Sequence, residues 1–141
     1  MTVRKVKSVW NGTLKQGAGK MDITGYSGPF TFASRFENGK GTNPEELVGA
    51  AQAGCYSMFL SALISGEGLT PESIETEASV TLGELDGGPA ITNIKLDCVV
   101  KCEGLAQDKF EELAAAAKAK CPISRLYAGG TATIELDAKL V

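Results

Sequence analysis

The fold is decided by the stretch TNPEELVGAAQAGCYSMFLSALI, residues 42–64. It opens with Asn43-Pro44-Glu45-Glu46, in which an N-cap residue, a proline suited to the first helical position and a variant of the capping box follow one another. No charged residue interrupts the run from Leu47 to Ile64. The stretch therefore predicts one long helix, apolar on all sides, from Pro44 to about Ser65.

The same run has the length of a marginal membrane span, which takes roughly 17–25 residues. A buried helix of a soluble fold is the better interpretation, because the run is rich in Gly, Ala and Ser, contains Gln52 and lacks Lys or Arg anchors at its ends. The segment Met1–Leu14 is charged and has no apolar core, so no signal peptide is expected. We therefore predict a cytoplasmic protein without a membrane partner.

Composition narrows the class of protein. The 141 residues favour a single domain over 1–141, and a net charge of −3 with scattered basic residues gives no footprint for nucleic acid. The chain has no histidine, which excludes Ser-His and Cys-His nucleophile pairs and zinc sites that use histidine. Four cysteines in a reducing compartment do not indicate a disulfide scaffold. No cofactor and no metal are expected.

Periodicity predicts the remaining elements. Strands are expected at Val6–Leu14, Met21–Tyr26 and, from strict alternation, Phe30–Phe36, with turns at Gly17–Gly19 and Ser27–Pro29. Further along, the pattern predicts a hairpin of Ser73–Leu85 and Ile94–Cys102 around Asp86–Pro89, a helix at Gln107–Lys120 that breaks at Cys121-Pro122, and a strand at Thr131–Leu140. This order predicts an α+β fold with mostly antiparallel sheets around long apolar helices.

Each cysteine has a structural and a chemical interpretation. Cys98 and Cys102 point to one apolar strand face and are expected to pack there without reacting. Cys55 lies in the apolar helix, where an inert core residue is the simpler interpretation. Cys121 would cap a new helical turn if Pro122 opens one, and a thiolate is favoured at such a position. From the residues alone, both Cys55 and Cys121 stay open.

Arg35 stands among aromatic strand residues just before a loop. It is either an exposed cation on an edge strand or a guanidinium that pairs with a carboxylate and stabilises a thiolate or oxyanion.

The segment from Arg35-Phe36-Glu37 through Thr42–Leu47 to Ala53-Gly54-Cys55, together with Cys121-Pro122, resembles the OsmC/Ohr family, and within it the OsmC (osmotically inducible protein C) subgroup. The resemblance implies an antioxidant thiol peroxidase that reduces organic hydroperoxides in the oxidative stress response, and an intertwined homodimer. It implies that Cys55 is peroxidatic, that Cys121 resolves it as a disulfide, and that Arg35 and Glu45 complete the site. It also implies recycling by a dithiol, often a lipoylated partner.

Helix geometry adds a constraint to this site. Glu45 and Cys55 are ten residues apart, which is about 15 Å on a straight helix. Either the helix breaks near Gly49, or Arg35 and Glu45 serve the Cys55 of a second subunit. We favour the second arrangement, which predicts an obligate two-fold dimer with two composite sites. Whether Glu46 shares the role of Glu45 stays open.

Two other functions compete with the peroxidase. A non-catalytic dimeric module could bind an apolar ligand, but this would leave the pairing of Arg35 with Glu45 without a use. A general disulfide reductase is disfavoured because the chain has no C-x-x-C motif.

Overall fold

Six strands and four helices follow one another along the computed structural model, which describes residues 1–141. Their order is β1 (Lys7–Asn11), β2 (Ala18–Ile23), β3 (Tyr26–Thr31), α1 (Phe32–Phe36), α2 (Pro44–Gly66), β4 (Ser73–Leu85), β5 (Gly88–Lys101), α3 (Gln107–Lys120), α4 (Pro122–Tyr127) and β6 (Thr133–Leu140). The chain forms two compact units, residues 1–47 and 48–141.

The first unit contains an antiparallel meander in the order β1-β2-β3. Its strands are shifted from the predicted ones: of the predicted turn Gly17–Gly19, only Gly17 precedes β2, and Ala18 and Gly19 lie inside it. The predicted turn Ser27–Pro29 lies inside β3. Because β3 is an edge strand, the missing N–H of Pro29 is tolerated there.

The predicted strand from Phe30 to Phe36 is wrong. The strand ends at Thr31, and the short helix α1 follows. Thr31 Oγ1 accepts the N–H of Ser34 at 3.1 Å, while Ser34 Oγ accepts the N–H of Thr31 at 2.8 Å. This reciprocal cap starts a helix and overrides the alternating pattern of the aromatic residues.

The second unit has a three-stranded sheet in the order β4-β5-β6. The predicted hairpin is present, but its turn is shorter than predicted: Gly88 and Pro89 already belong to β5, which ends at Lys101. The turn residues are Asp86 and Gly87, with φ of 53° and 79°. Positive φ at both positions is typical of the tight turns that match strand twist. β6 returns through α3 and α4 and pairs with β5 in parallel, so the sheets are mostly but not wholly antiparallel.

The long helix is confirmed as α2, which has 23 residues and continues unbroken through Gly49. One stripe of α2 is buried, and it consists of Gly49, Gln52, Tyr56, Leu60 and Ile64. In the second unit, the apolar members of this stripe pack with β5 and α3 into a single hydrophobic core. Cys98, with 1 % of its surface exposed, and Cys102, with 6 %, are part of that core, as predicted.

The opposite face of α2 is exposed and carries little polarity; we call it the open stripe, formed by Ala51, Gly54, Met58, Ala62 and Ser65. Met58 exposes 77 % of its surface. By length and composition alone α2 could cross a membrane, and only 28 % of its most apolar window is buried. Core helices of soluble proteins have the same length and composition. An exposed apolar face of this kind is typical of a surface that contacts another molecule, but its composition does not identify that molecule.

Candidate active site

The sulfurs of Cys55 and Cys121 are hydrogen-bonded at 2.6 Å, and both cysteines are free thiols. Cys121 is completely buried, whereas Cys55 is partly exposed. The structure therefore brings together the two cysteines that the sequence singled out, and leaves only one of them open to solvent.

The position of Cys121 follows from the break between two helices. Its N–H donates to the carbonyl of Ala117 at 2.9 Å, which ends α3, and its own carbonyl accepts the N–H of Arg125 at 2.9 Å, which starts α4. Pro122 occupies the first position of α4, where a missing N–H costs nothing. The predicted helix restart with Cys121 at its N-cap is confirmed.

The two thiols titrate as a coupled pair. Burial raises the pKa of the Cys55 thiol, and its hydrogen bond with Cys121 acts in the same direction. Burial also acts to raise the pKa of Cys121, but hydrogen bonds from the Cys55 thiol and from Ser124 outweigh it and hold that pKa below its ordinary value. Burial thus acts against a thiolate on Cys55 within one chain, and a nearby positive charge would favour its ionisation.

Arg35 and Glu45 form a bidentate ion pair within the first unit. Arg35 Nη2 donates to Glu45 Oε1 at 2.7 Å, and Arg35 Nε lies 3.2 Å from both carboxylate oxygens. The Arg35 side chain keeps 34 % of its surface exposed, against 12 % for Glu45. One edge of the guanidinium is therefore occupied, and the cation remains accessible to another partner.

Glu46 has a different environment. Asn43 Oδ1 accepts the N–H of Glu46 at 2.8 Å, so Asn43 is the N-cap, as predicted. The Glu46 carboxylate accepts the hydroxyl of Thr42 at 3.0 Å rather than the Asn43 N–H of a full capping box. The two adjacent carboxylates are thereby separated: Glu45 pairs with the cation, and Glu46 holds the helix start.

An aromatic cavity of about 190 Å³ lies beside Arg35 in the first unit. Its lining consists of Trp10, Leu14, Phe30, Thr31, Phe32, Arg35, Phe36 and Pro44. The guanidinium stacks over the Phe36 ring at 5.1 Å. Such a cavity accommodates an alkyl or aryl group, with a cation at one end.

Sequence reasoning missed two residues beside the thiols. Ser124 is 2 % exposed and accepts a hydrogen bond from Gln52 Nε2 at 3.1 Å. Gln52 could have been noticed in the sequence because it is a lone amide in an apolar run. Ser124 was marked only by its position three residues after Cys121.

The fold and the site together define an α+β protein with a pair of adjacent thiols, one on the long apolar helix α2 and one at the start of α4. The family model described as "OsmC-like protein" matches residues 37–137. The chain is 42 % identical to "Peroxiredoxin OsmC" of Escherichia coli (strain K12) over 99 % of both chains.

More distant relatives are similar to the chain in sequence, in fold or in both. The chain is 33 % identical to "Organic hydroperoxide resistance protein OhrB" of Bacillus subtilis (strain 168), over 73 % of this chain and 74 % of that protein. The crystal structure of that protein superposes with a TM-score of 0.71 over 96 % of this chain and 98 % of the other, at 26 % identity. An OsmC-like protein from Mycoplasma pneumoniae superposes with a TM-score of 0.80 at 14 % identity, covering 99 % and 98 % of the two chains, which shows a shared fold. The chain belongs to the OsmC family, as the sequence motif predicted.

Proposed function

We propose that this chain is a cysteine-based peroxidase that reduces organic hydroperoxides to alcohols through Cys55 and Cys121. One observation carries the proposal: the two sulfurs lie 2.6 Å apart, with Cys55 partly exposed and Cys121 buried. Family membership supports it, because the relatives are named as a peroxiredoxin and as hydroperoxide resistance proteins.

In the first step the Cys55 thiolate attacks the terminal oxygen of the hydroperoxide. A sulfur–oxygen bond forms, the O–O bond breaks, and the alkoxide leaves and takes a proton to become the alcohol. Cys55 is then a sulfenic acid. Its partial exposure supports this assignment, since a hydroperoxide cannot reach the buried Cys121.

In the second step Cys121 attacks the Cys55 sulfenic acid. A sulfur–sulfur bond forms, and the hydroxyl group leaves as water with the remaining proton. The existing contact between the sulfurs supports an immediate reaction, which protects Cys55 from further oxidation. An external dithiol, in this family often a lipoylated protein, then reduces the disulfide and is itself oxidised.

Arg35 supplies the positive charge that a Cys55 thiolate needs and stabilises the departing alkoxide. Glu45 orients the guanidinium through its bidentate pair. Because α2 is unbroken, Glu45 and Cys55 of one chain are separated by about 15 Å along the helix. The site is therefore composite, with Arg35 and Glu45 from one subunit and the thiols from the other.

The partner that completes this site is a second copy of the chain. The open stripe on α2 supports a two-fold interface, because four of its five residues are small and allow close approach of a symmetry-related helix, while Met58 offers an exposed apolar side chain to it. In this arrangement residues 1–141 function as one domain within a cytoplasmic homodimer. The aromatic cavity beside Arg35 then favours hydroperoxides with an alkyl or aryl group over hydrogen peroxide.

The test is to titrate the reduced protein with cumene hydroperoxide and to map the cysteines by mass spectrometry. We expect stoichiometric loss of peroxide and a Cys55–Cys121 disulfide. Cys121→Ser should leave Cys55 as sulfenic acid or more oxidised forms, and Cys55→Ser should abolish turnover; Cys98→Ser is the matched control and should react normally. Unchanged thiols after a modest excess of peroxide would refute the proposal and favour a non-catalytic module that binds an apolar ligand.

A further inference from the structure

Gln52 is the only amide side chain in the buried stripe of α2. It is completely buried, and its Oε1 has no hydrogen-bond partner, while its Nε2 donates to Ser124 Oγ at 3.1 Å. An unpaired buried oxygen costs free energy that an apolar side chain would avoid. Stability alone therefore does not account for a glutamine at this position.

The location of this hydrogen bond suggests its use. Gln52 lies three residues before Cys55 on α2, and side chains at this spacing are neighbours on a helix surface. Ser124 lies three residues after Cys121, within α4. The Gln52–Ser124 bond and the Cys55–Cys121 contact are thus two adjacent links between the same two segments.

We propose that Gln52 and Ser124 are positioning residues for the thiol pair: their buried hydrogen bond fixes the start of α4 against α2 and so holds Cys121 Sγ beside Cys55 Sγ. The contribution of this hydrogen bond to catalytic turnover rests on the proposed function. Its contribution to disulfide formation between Cys55 and Cys121 is independent of that function, because it depends only on the geometry of the two thiols.

The proposal is tested with Gln52→Met and Ser124→Ala, which remove the bond with little change in volume. The measurement is the equilibrium constant of the Cys55–Cys121 disulfide against reduced and oxidised glutathione, with the disulfide identified by mass mapping. We expect each variant to lower this constant by roughly 10-fold, the scale of one buried hydrogen bond. Ser124→Thr keeps the hydroxyl and should retain most of the wild-type value.

The double variant gives the sharpest test. If the hydrogen bond acts as a unit, Gln52→Met combined with Ser124→Ala should lose no more than either single variant. Multiplied losses, or wild-type constants in both single variants, would overturn the proposal.

Ser57→Ala is the matched control, because it removes another part-buried contact of α2, the 2.8 Å contact with Thr76 Oγ1 in β4. It should leave the constant unchanged; an equal loss there would assign the effect to general destabilisation and contradict the positioning role. The experiment uses no hydroperoxide, so its result is separate from the peroxidase test. A wild-type protein that forms the disulfide with glutathione but consumes no hydroperoxide would refute the proposed function and leave this inference standing.

Discussion

Arg35 is the residue on which the proposed chemistry depends most. Its guanidinium is oriented by three hydrogen bonds to Glu45, the shortest 2.7 Å, and still exposes about a third of its surface. Burial raises the pKa of the Cys55 thiol, so ionisation of Cys55 is unfavourable without a nearby cation. Arg35 therefore has two expected effects, one on the ionisation of the thiol and one on the stability of the departing alkoxide.

We predict that Arg35→Ala lowers kcat/KM for cumene hydroperoxide by about 100-fold or more, the scale of losing one donor to an oxyanion. The thiolate fraction grows as pH rises through the thiol pKa, so removing the cation should move the onset of Cys55 reactivity to higher pH. Alkylation of Cys55 by iodoacetamide, followed across pH by mass spectrometry, measures this shift. Arg4→Ala, at an exposed position, is the control. An unchanged pH profile in Arg35→Ala would contradict the role.

At this scale the sequence was informative where a residue was unusual for its surroundings. Arg35 among aromatic residues and Cys121 before Pro122 could both be singled out, and both have defined partners in the structure. The role of Ser124 could not be predicted, because its partner Gln52 is 72 residues away in the chain. Such a contact follows from the packing of α4 against α2, which no local pattern encodes.

At the scale of elements, α2 was predictable over its full length because its cap, its uncharged run and its glycine-rich end agree. α1 was not predictable, because Phe30, Phe32 and Phe36 all fall on even positions and match one face of a strand equally well. The cap formed by Thr31 and Ser34 decides between the two, and its hydrogen bonds exist only once the chain has turned.

The buried stripe of α2 leads to a prediction about alkaline stability. Burial raises the pKa of Tyr56 well above its usual range, with a smaller contribution from Cys98. The neutral phenol therefore stabilises the fold fully below about pH 10, the pKa of an unfolded tyrosine, and this stability is lost as the pH rises further. We expect the free energy of unfolding to fall there by up to about 1.4 kcal/mol per pH unit for this one proton.

Urea unfolding from about pH 8 to about pH 11 measures this slope. Tyr56→Phe keeps the ring but cannot ionise, so it should flatten the slope, while Tyr26→Phe, at an exposed position, should not change it. Equal slopes in the wild-type protein and in Tyr56→Phe would show that the buried phenol does not contribute.

At the scale of the whole molecule, the proposed composite site predicts a result that a site within one chain does not. Arg35→Ala and Cys55→Ser should each be inactive as homodimers. When the two variants are unfolded together and refolded at equal amounts, about half of the dimers are mixed, and each mixed dimer holds one intact site. We therefore expect about a quarter of the wild-type activity to return.

In the control experiment, the single variants Cys55→Ser and Cys121→Ser are unfolded together and refolded at equal amounts. Both substitutions remove a thiol, and the two thiols of one site come from the same chain, so mixed dimers of these variants contain no intact site. Recovery should be absent in this mixture. Absence of recovery in the mixture of Arg35→Ala and Cys55→Ser, with mixed dimers verified by mass, would place the whole site within one chain.

The complete burial of Cys121 has a consequence for the kinetics of the enzyme. In the proposed disulfide we expect only the Cys55 sulfur to be within reach of an incoming dithiol, and attack there expels the buried Cys121 thiolate. The oxidising and the reducing substrate then take turns at a single atom. Such a peroxidase follows ping-pong kinetics, and each substrate at high concentration competes with the other for the same opening.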